Sequence, residues 1–430
     1  MKTTKLFFMA ALALMTAACS NDDNEIAQQA QKGGGITITA QLAPKTNGAD
    51  TRAVSDQTTF IKSEWAKNEH IAILYTKDGN QMADAEITAV DATTGVATIT
   101  FTVVEGTPDN TDCTLVYPLS AAKADKSGVL DDATLLATAN QDGTLNVNMD
   151  VRVGAGTIQT STPSLTVTTQ PAAKFSIFKF TFQDIKEETG RSAKNFKLSN
   201  GSDDLINFPG NSAFEKLYFA MPVLSAGTYW FSATINNESY VGKATLSALS
   251  QTTEEATIAG KYYPTTVKLA TVGDVVLSNG KFAKAGTAGA IAVIAHVGND
   301  TGDDTHKHGL ALALADETGG SGQYNDEFKW EAAKNKCTSK TAVPDASWML
   351  PSKTQMETMI TGAGGSIADL ADLANLKTFR YWTSTLNTDE DSDPAWIIQY
   401  EKKEDSDEYE WKWGWNNVYE DILVRACLAF

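Results

Sequence analysis

The alternation of apolar and polar residues constrains this fold more than any other feature of the chain. Apolar side chains recur at every second position through much of the first 270 residues, as in the run 36–42. A period of two places them on one face of a strand, whereas a helix needs a period of about 3.6. We therefore expect a mainly β protein whose half-buried strands pack as sandwiches.

Tryptophan divides the chain into two unlike parts. Of the nine tryptophans, only Trp65 and Trp230 lie in the first 270 residues. The last part contains the other seven: Trp330, Trp348, Trp382, Trp396, Trp411, Trp413 and Trp415. We expect the first four of these seven to lie in the core.

Helical spacing also appears in this last part. Residues 327–336 are predicted to form a helix, and Trp330, Ala333 and Cys337, spaced three and four apart, would lie on its apolar face. Ser352 is a candidate N-cap for a second helix. The sequence thus predicts three domains. They are two tandem β-sandwiches followed by an α+β domain, with boundaries at 36–168, 169–270 and 271–430.

The N-terminal residues have the pattern of a secretory signal. A basic lead at 1–5 precedes an apolar run at 6–18, and Cys19 follows two alanines. The run is shorter than the roughly 20 apolar residues that a permanent membrane span needs. We predict a signal peptide over residues 1–18 and lipidation of Cys19.

A lipidated Cys19 would anchor the mature protein in the outer membrane, facing the cell surface. Residues 19–35 are polar, end in three glycines and are predicted to form a flexible tether. The alternative is cleavage by the ordinary signal peptidase, because Thr16-Ala17-Ala18 also suits that enzyme.

Composition excludes some partners. The chain contains 35 Lys+Arg and 53 Asp+Glu, a formal net charge of −18. This charge is repelled by nucleic acids and by anionic lipid. Of four cysteines, only Cys113, Cys337 and Cys427 follow Cys19. They are too few for a fold built on disulfides.

Several short segments, taken in their order, resemble the fimbrillins, which are pilin-type lipoproteins of Gram-negative gut and oral bacteria. They are the lipoprotein signal, the strand before Arg52-Ala53, the Glu64-Trp65 turn before 71–75, the strand end at Tyr117-Pro118 and the segment 260–269. The resemblance covers residues 19 to 270 and implies two transthyretin-like sandwiches. It also implies assembly by strand exchange: a trypsin-like protease cuts after an arginine, the first strand leaves, and a neighbour's strand replaces it.

In this chain the resemblance points to cleavage between Arg52 and Ala53, in a polar loop that a protease can reach. The strand that would leave presents its apolar side chains at Ile36, Ile38, Ala40 and Leu42. Its loss would expose an apolar groove with unpaired backbone edges, which another alternating strand can fill. The alternative is that Arg52 is an ordinary exposed loop residue and the first strand stays in place.

The motifs of the last domain resemble those of bacterial C-type-lectin-like modules, which are related in fold to the formylglycine-generating enzymes. In order they are a cysteine-bearing helix, Trp348-Met349-Leu350-Pro351-Ser352, a second helix, Tyr381-Trp382-Thr383-Ser384-Thr385, Ala395-Trp396 and Val424-Arg425-Ala426-Cys427. The resemblance covers residues 272–430. It implies a disulfide between Cys337 and Cys427, which would contribute about 4 kcal/mol in the chain-entropy model. Cys113 is then a small buried hydrophobe.

A row of aromatic residues near the C-terminus is the candidate ligand-binding site. Tyr409, Trp411, Trp413 and Trp415 alternate, so on a strand their rings share a face. Aromatic platforms of this kind stack on sugar rings or peptides. The alternative is that the row belongs to the core.

Two other patterns suggest metals. Acidic residues at 389–393 and 404–408, with Asp300, Asp303 and Asp304, form oxygen-rich loops of the kind that can hold calcium. We favour a solvated acidic surface, because the Glu-Pro-Asn type loop of calcium-dependent lectins is missing.

His306 and His308 alternate, but without a third ligand nearby they do not predict a metal site. We expect no cofactor. Catalytic signatures such as Gly-x-Ser-x-Gly, His-Glu-x-x-His and a phosphate-binding loop are absent from the sequence, so we do not expect an enzyme.

Together these patterns favour a fimbrial tip subunit or adhesin. It would accept a strand from another pilin subunit and present its last domain to a host or bacterial glycan or protein. It could hardly donate a strand, because Phe430 lies just after Cys427 inside that domain. The main rival is a monomeric surface lipoprotein that keeps its first strand and captures a glycan or peptide. An enzyme on the lectin-like scaffold is a third, weaker alternative.

Overall fold

The computed structural model describes residues 35–45, 56–57, 60–61, 64–187, 189–210, 212–249, 255–320, 326–388, 394–403 and 408–430. The predicted signal peptide, Cys19, Arg52 and Ala53 lie outside these residues. So do most residues of the two acidic loops at 389–393 and 404–408. Among the residues described, no helix is both long and apolar enough to cross a membrane.

The N-terminal unit, residues 35–174, is built on one long antiparallel sheet. Its elements are β1 (Ile36–Leu42), β2 (Asp56–Gln57), β3 (Phe60–Ile61), β4 (His70–Thr76), β5 (Asn80–Val90), β6 (Ala97–Val103), β7 (Thr111–Tyr117), α1 (Asp132–Ala139), β8 (Arg152–Gln159) and β9 (Ser164–Ala173). Seven strands lie in the order β1-β6-β5-β4-β7-β8-β9, and β2 pairs with β3.

This sheet curls until its two edge strands, β1 and β9, lie side by side. Its inner face encloses one apolar core that includes Ile38, Ile73, Ile99 and Leu115. The expected sandwich core is therefore surrounded by a single curled sheet. The predicted boundary at 168/169 falls inside β9. Most residues of β9 are exposed or half-buried, so the strand does not show the apolar alternation from which strands are predicted.

The outer face of the curled sheet joins the N-terminal unit to the next one. Leu74 of β4 and Leu135 of α1 share a core with Tyr218 of the neighbouring unit. The sequence does not predict α1, which begins where the Asp131 side chain accepts a hydrogen bond from the Thr134 backbone N–H.

The middle unit, residues 175–270, is a sandwich of two four-stranded sheets. Its strands are β10 (Ser176–Asp184), β11 (Gly190–Arg191), β12 (Lys194–Ser199), β13 (Asp204–Phe208), β14 (Lys216–Met221), β15 (Gly227–Ile235), β16 (Glu238–Leu246) and β17 (Tyr262–Leu269). One sheet is β11-β10-β14 with β17 parallel to β10, and the other is β13-β12-β15-β16. Phenylalanines fill the space between them: Phe178, Phe180, Phe182, Phe196, Phe219 and Phe231.

The C-terminal unit, residues 271–430, combines two sheets with three helices. Its elements are β18 (Val275–Leu277), β19 (Phe282–Ala283), β20 (Ala290–Val297), β21 (Gly309–Ala313), β22 (Glu327–Phe328), α2 (Trp330–Thr338), β23 (Ser347–Met349), α3 (Lys353–Ala363), α4 (Ile367–Ala374), β24 (Arg380–Leu386), β25 (Ala395–Lys402), β26 (Tyr409–Asn416), β27 (Ile422–Leu423) and β28 (Cys427–Ala429). The sheets are β19-β18-β20-β21-β28-β23 and β22-β27-β24-β25-β26.

The helices of this unit follow the sequence signals in part. The predicted cap at Ser352 is confirmed: its hydroxyl accepts from the Gln355 backbone N–H, and the Gln355 side chain accepts from the Ser352 N–H. α2 begins at Trp330 rather than at the predicted Glu327, because residues 327 and 328 pair with β27. α4 has no counterpart among the predicted elements.

A buried arginine, Arg425, lies between the last two strands, β27 and β28. The guanidinium of Arg425 donates to the Asp316 carboxylate and to the carbonyl oxygens of Ala313 and Ala374. These bonds tie the end of α4 to the sheet. They separate β27 from β28.

The predicted disulfide is wrong, because the six-stranded sheet separates its two cysteines. On β28, Cys427 belongs to the core beneath α3 and α4, where its Sγ lies 4.0 Å from Met359 Sδ. The next residue, Leu428, points to the opposite core, which also contains Cys337 of α2. Both thiols are free and buried, as is Cys113.

We expect three free thiols in the chain beyond Cys19. Burial raises the pKa of Cys113 and of Cys337 to about 12, so the native protein should react slowly with iodoacetamide. After unfolding without reductant, intact-mass measurement on a Cys19→Ser variant should find three alkylated cysteines, as in a reduced control. A single alkylated cysteine with a Cys337–Cys427 linked peptide would contradict this arrangement.

Candidate functional site

The first strand occupies an edge of the curled sheet. β1 pairs antiparallel with β6 along its whole length, from Ile36 opposite Val103 to Leu42 opposite Ala97. Its other side faces β9, and the Ala43 N–H donates to the Gln170 side chain at 3.3 Å. β1 thus lies between β6, with which it forms backbone hydrogen bonds, and β9, which it faces. We call the line between β1 and β9 the seam of the sheet.

The predicted inward-facing side chains of β1 do enter the core. Ile38 and Leu42 are 0% exposed, Ala40 is 7% exposed, and Ile36 packs against the same core at the strand's start. Each fully buried Ile or Leu contributes about 1.5–3 kcal/mol. The alternation read from the sequence therefore corresponds to a strand that seals the core of the N-terminal unit.

A second anchor follows β1. The Trp65 indole N–H donates to the Ala43 carbonyl at 2.9 Å. Two residues later, the Lys45 side chain is 2% exposed. Its ammonium lies 4.4 Å from the Trp65 ring centroid and 3.9 Å from that of Tyr117. These two aromatic rings and the charges around them form what we call the Lys45 pocket.

The Asp150 carboxylate pairs with two cations of the Lys45 pocket. Asp150 Oδ2 lies 3.1 Å from the Lys45 ammonium, and Asp150 Oδ1 accepts from Arg152 Nε at 2.8 Å. Glu69 closes the other side, where it accepts from the Tyr117 hydroxyl at 2.8 Å. Two cations and two carboxylates therefore meet beneath the end of β1.

Burial sets the ionisation of this pocket. It lowers the pKa of Lys45 from its ordinary value of 10.5, and the carboxylates of Asp150 and Glu69 oppose that change. Burial and the adjacent Glu69 raise the pKa of the Tyr117 phenol well above its usual range. Tyr117 is thus a neutral donor, and the buried ammonium depends on the two carboxylates and the rings for its stabilisation.

The predicted aromatic row lies on β26, the edge strand of the five-stranded sheet. Pairing with β25 places Trp411 opposite Tyr400, Trp413 opposite Ile398 and Trp415 opposite Trp396. Directly opposed residues of an antiparallel pair share a face. We call this surface the aromatic face; it comprises Trp396, Tyr400, Tyr409, Trp411, Trp413 and Trp415.

The aromatic face is part core and part surface. Trp411 and Trp413 are half-buried and pack against the core beneath α3 and α4. Tyr409 is 56% exposed and Trp415 is 51% exposed, one at each end of the row. The row therefore contributes to the core through Trp411 and Trp413 and to the surface through Tyr409 and Trp415.

Two further groups extend this face beyond the predicted residues. Trp396, expected in the core, is half-buried on the face, and the Lys353 ammonium lies 3.5 Å from its ring centroid. The other three tryptophans expected in the core, Trp330, Trp348 and Trp382, are buried. No local sequence pattern indicates Lys353, because it lies on α3 and reaches the strands only through the tertiary fold.

Two of the candidate metal ligands, Asp300 and Asp303, contact groups of their own segment. Asp300 bonds to His296, and Asp303 accepts from the backbone N–H groups of Thr305 and His306. Among the described residues, no three His, Cys, Asp or Glu side chains are grouped closely enough to hold a metal ion.

His308 takes part in a junction between units. Its ring stacks on Trp230 of the middle unit with centroids 4.2 Å apart, and burial lowers its pKa to about 4. Phe430 also lies near this contact, with its ring centroid 6.3 Å from that of Trp230. His308 is therefore a neutral packing residue that joins the middle and C-terminal units.

No protein-family model matches the chain, and no curated protein matches it in sequence. Among solved structures, a fimbrial protein from Bacteroides ovatus is 14% identical with a TM-score of 0.27, over 92% of this chain and 99% of that one. A fimbrial assembly protein from Parabacteroides distasonis is 11% identical with a TM-score of 0.28, over 54% and 90%. A minor pilin from Streptococcus agalactiae is 11% identical with a TM-score of 0.21, over 54% and 95%. Likeness at these scores carries no argument about this chain's fold or function.

Substitutions along the aromatic face should separate its core residues from its surface residues. Trp411→Ala should lower the free energy of unfolding by about 1–3 kcal/mol, because the ring packs against the core. Trp415→Ala should change it by less than about 0.5 kcal/mol. Urea unfolding followed by circular dichroism measures both. Equal losses for the two variants would show that the row is uniformly core.

Proposed function

We propose that this protein is the strand-accepting tip subunit of a cell-surface fimbrium, an adhesin whose C-terminal unit binds a glycan or a protein. A signal peptide would direct the chain to export, and lipidation at Cys19 would hold it at the outer membrane until assembly. The proposal needs no catalytic residue.

The way in which β1 is held in the sheet supports this proposal. The strand is joined to the sheet through one neighbour, β6, and its apolar side chains close the seam towards β9. Cleavage between Arg52 and Ala53 would cut its only covalent link to the folded part of the chain. A strand with the same alternation could then replace it through the same backbone bonds and side-chain sites.

The last strand of the C-terminal unit is held firmly in its sheet. β28 is paired on both sides, with β21 and with β23. The Phe430 carbonyl accepts from the backbone N–H groups of His308 and Gly309. Releasing β28 would break the central sheet of the C-terminal unit, so this strand is not available to a neighbour.

The aromatic face supports the binding half of the proposal. Exposed rings at its two ends, with half-buried rings between them, offer flat apolar surfaces that stack on sugars or on peptide side chains. The Lys353 ammonium beside Trp396 adds one positive charge. The C-type-lectin-like assignment of this unit belongs to the proposal and rests on its motif order.

Processing at Arg52 is the first test. In protein released from the cell surface, intact-mass measurement should find an N-terminus at Ala53. An Arg-specific protease should produce the same end in purified protein while the remainder stays folded. The Arg152 and Arg425 side chains are only 2% exposed, so they should resist cleavage. Arg191 and Arg380 are more exposed but lie in paired strands, so they should be cut more slowly than Arg52.

Arg52→Gln is the matched control, which should remain uncut and stay out of the fimbrial fraction. Recovery of wild-type protein still acylated at Cys19, with Arg52 intact and no assembly, would overturn strand acceptance. The rival account, a stand-alone surface lipoprotein that captures a glycan or peptide, would then hold.

Ligand binding should depend on the exposed ends of the aromatic face. On a glycan array, a Tyr409→Ala/Trp415→Ala variant should lose at least about tenfold in affinity, since stacking on a ring is worth on the order of 1 kcal/mol or more. Tyr419→Ala removes a 76% exposed ring outside the face and should bind as wild type does. Unchanged binding by the double variant would place the ligand elsewhere.

A further inference from the structure

We propose that the Lys45 pocket is a recognition site for a lysine or arginine of the incoming strand. This inference rests on the proposed function, because Lys45 precedes Arg52 and would leave together with β1. The pocket would then be open to a side chain from the neighbouring subunit. It would select donor strands by a buried charge in addition to their apolar pattern.

The pocket is shaped for a cation. The rings of Trp65 and Tyr117 both face the Lys45 ammonium, at 4.4 and 3.9 Å from their centroids. The negative face of an aromatic ring attracts a cation and repels a carboxylate. Asp150 supplies an ionic partner at 3.1 Å from the ammonium.

The charge count favours the same occupant. Asp150 and Glu69 both stabilise the charged form of Lys45, because each opposes the fall in its pKa that burial causes. The departure of Lys45 with β1 removes one positive charge from beside these two carboxylates. A lysine or arginine of the incoming strand would replace that charge, whereas a carboxylate would be repelled.

The spacing gives the donor a sequence pattern. Lys45 follows Leu42 by three residues, and Leu42 is the last of the apolar side chains that enter the core. A replacing strand that runs in the direction of β1 should have apolar residues at four alternate positions. Lysine or arginine should follow three residues after the last of them.

Peptide exchange tests this inference. Purified full chain is nicked at Arg52, and a fluorescent peptide of residues 35–52 is added in excess. Incorporation is then measured by anisotropy for the native peptide and for peptides carrying Lys45→Arg, Lys45→Met or Lys45→Glu. A Gln41→Met peptide, altered on the exposed face of β1, is the matched control.

The native, Lys45→Arg and Gln41→Met peptides should bind within about threefold of one another. The Lys45→Met peptide should bind at least about tenfold more weakly, because it cannot form the Lys45–Asp150 ion pair or the contacts of the ammonium with the two rings, and Lys45→Glu more weakly still. An Asp150→Asn chain should reduce the preference for lysine over methionine.

The outcomes separate the two proposals. If all the peptides are incorporated equally, the pocket does not recognise charge, and this inference is overturned while strand acceptance stands. If no peptide replaces β1 in the nicked chain, strand acceptance itself fails, and the inference fails with it.

Discussion

The N-terminal unit is held together by the closure of its curled sheet at β1. In the described part of the chain, a backbone ladder joins β1 to β6, but none joins β1 to β9. The seam is closed instead by side chains: Leu42 and Ile38 inside, Gln170 across the gap, and Lys45 beneath the end of the strand. A strand held in this way can be exchanged without unpairing any other strand of the sheet.

The Lys45 pocket favours one direction and one register of β1 in the sheet. Apolar alternation alone tolerates a shift by two residues, because the side chains then return to the same face. A buried ammonium between two rings and a carboxylate tolerates no such shift. Burying the charge has a desolvation cost that the contacts with Asp150, Glu69 and the rings offset, so an incorrectly placed strand would lose the Lys45–Asp150 ion pair.

Much of the fold can be predicted from local sequence patterns. The predictions that do not match the structure fail for physical reasons. The alternation of β1, the cap of α3 at Ser352 and the row on β26 are all local signals, and each corresponds to the observed element. The boundary at 168/169 fails because β9 is mostly exposed. The Cys337–Cys427 disulfide fails because it came from the order of motifs, which does not determine the face of the sheet towards which each thiol points.

Local sequence indicates which segments alternate, where helices are capped and which rings share a face, because each of these depends on neighbours a few residues apart. Tertiary packing decides what lies opposite them. Lys45 and Asp150 are 105 residues apart, and Trp230 meets His308 across two units. Burial, charge pairing and ring contact depend on distances in space, and these are settled only when the curled sheet closes and the units pack.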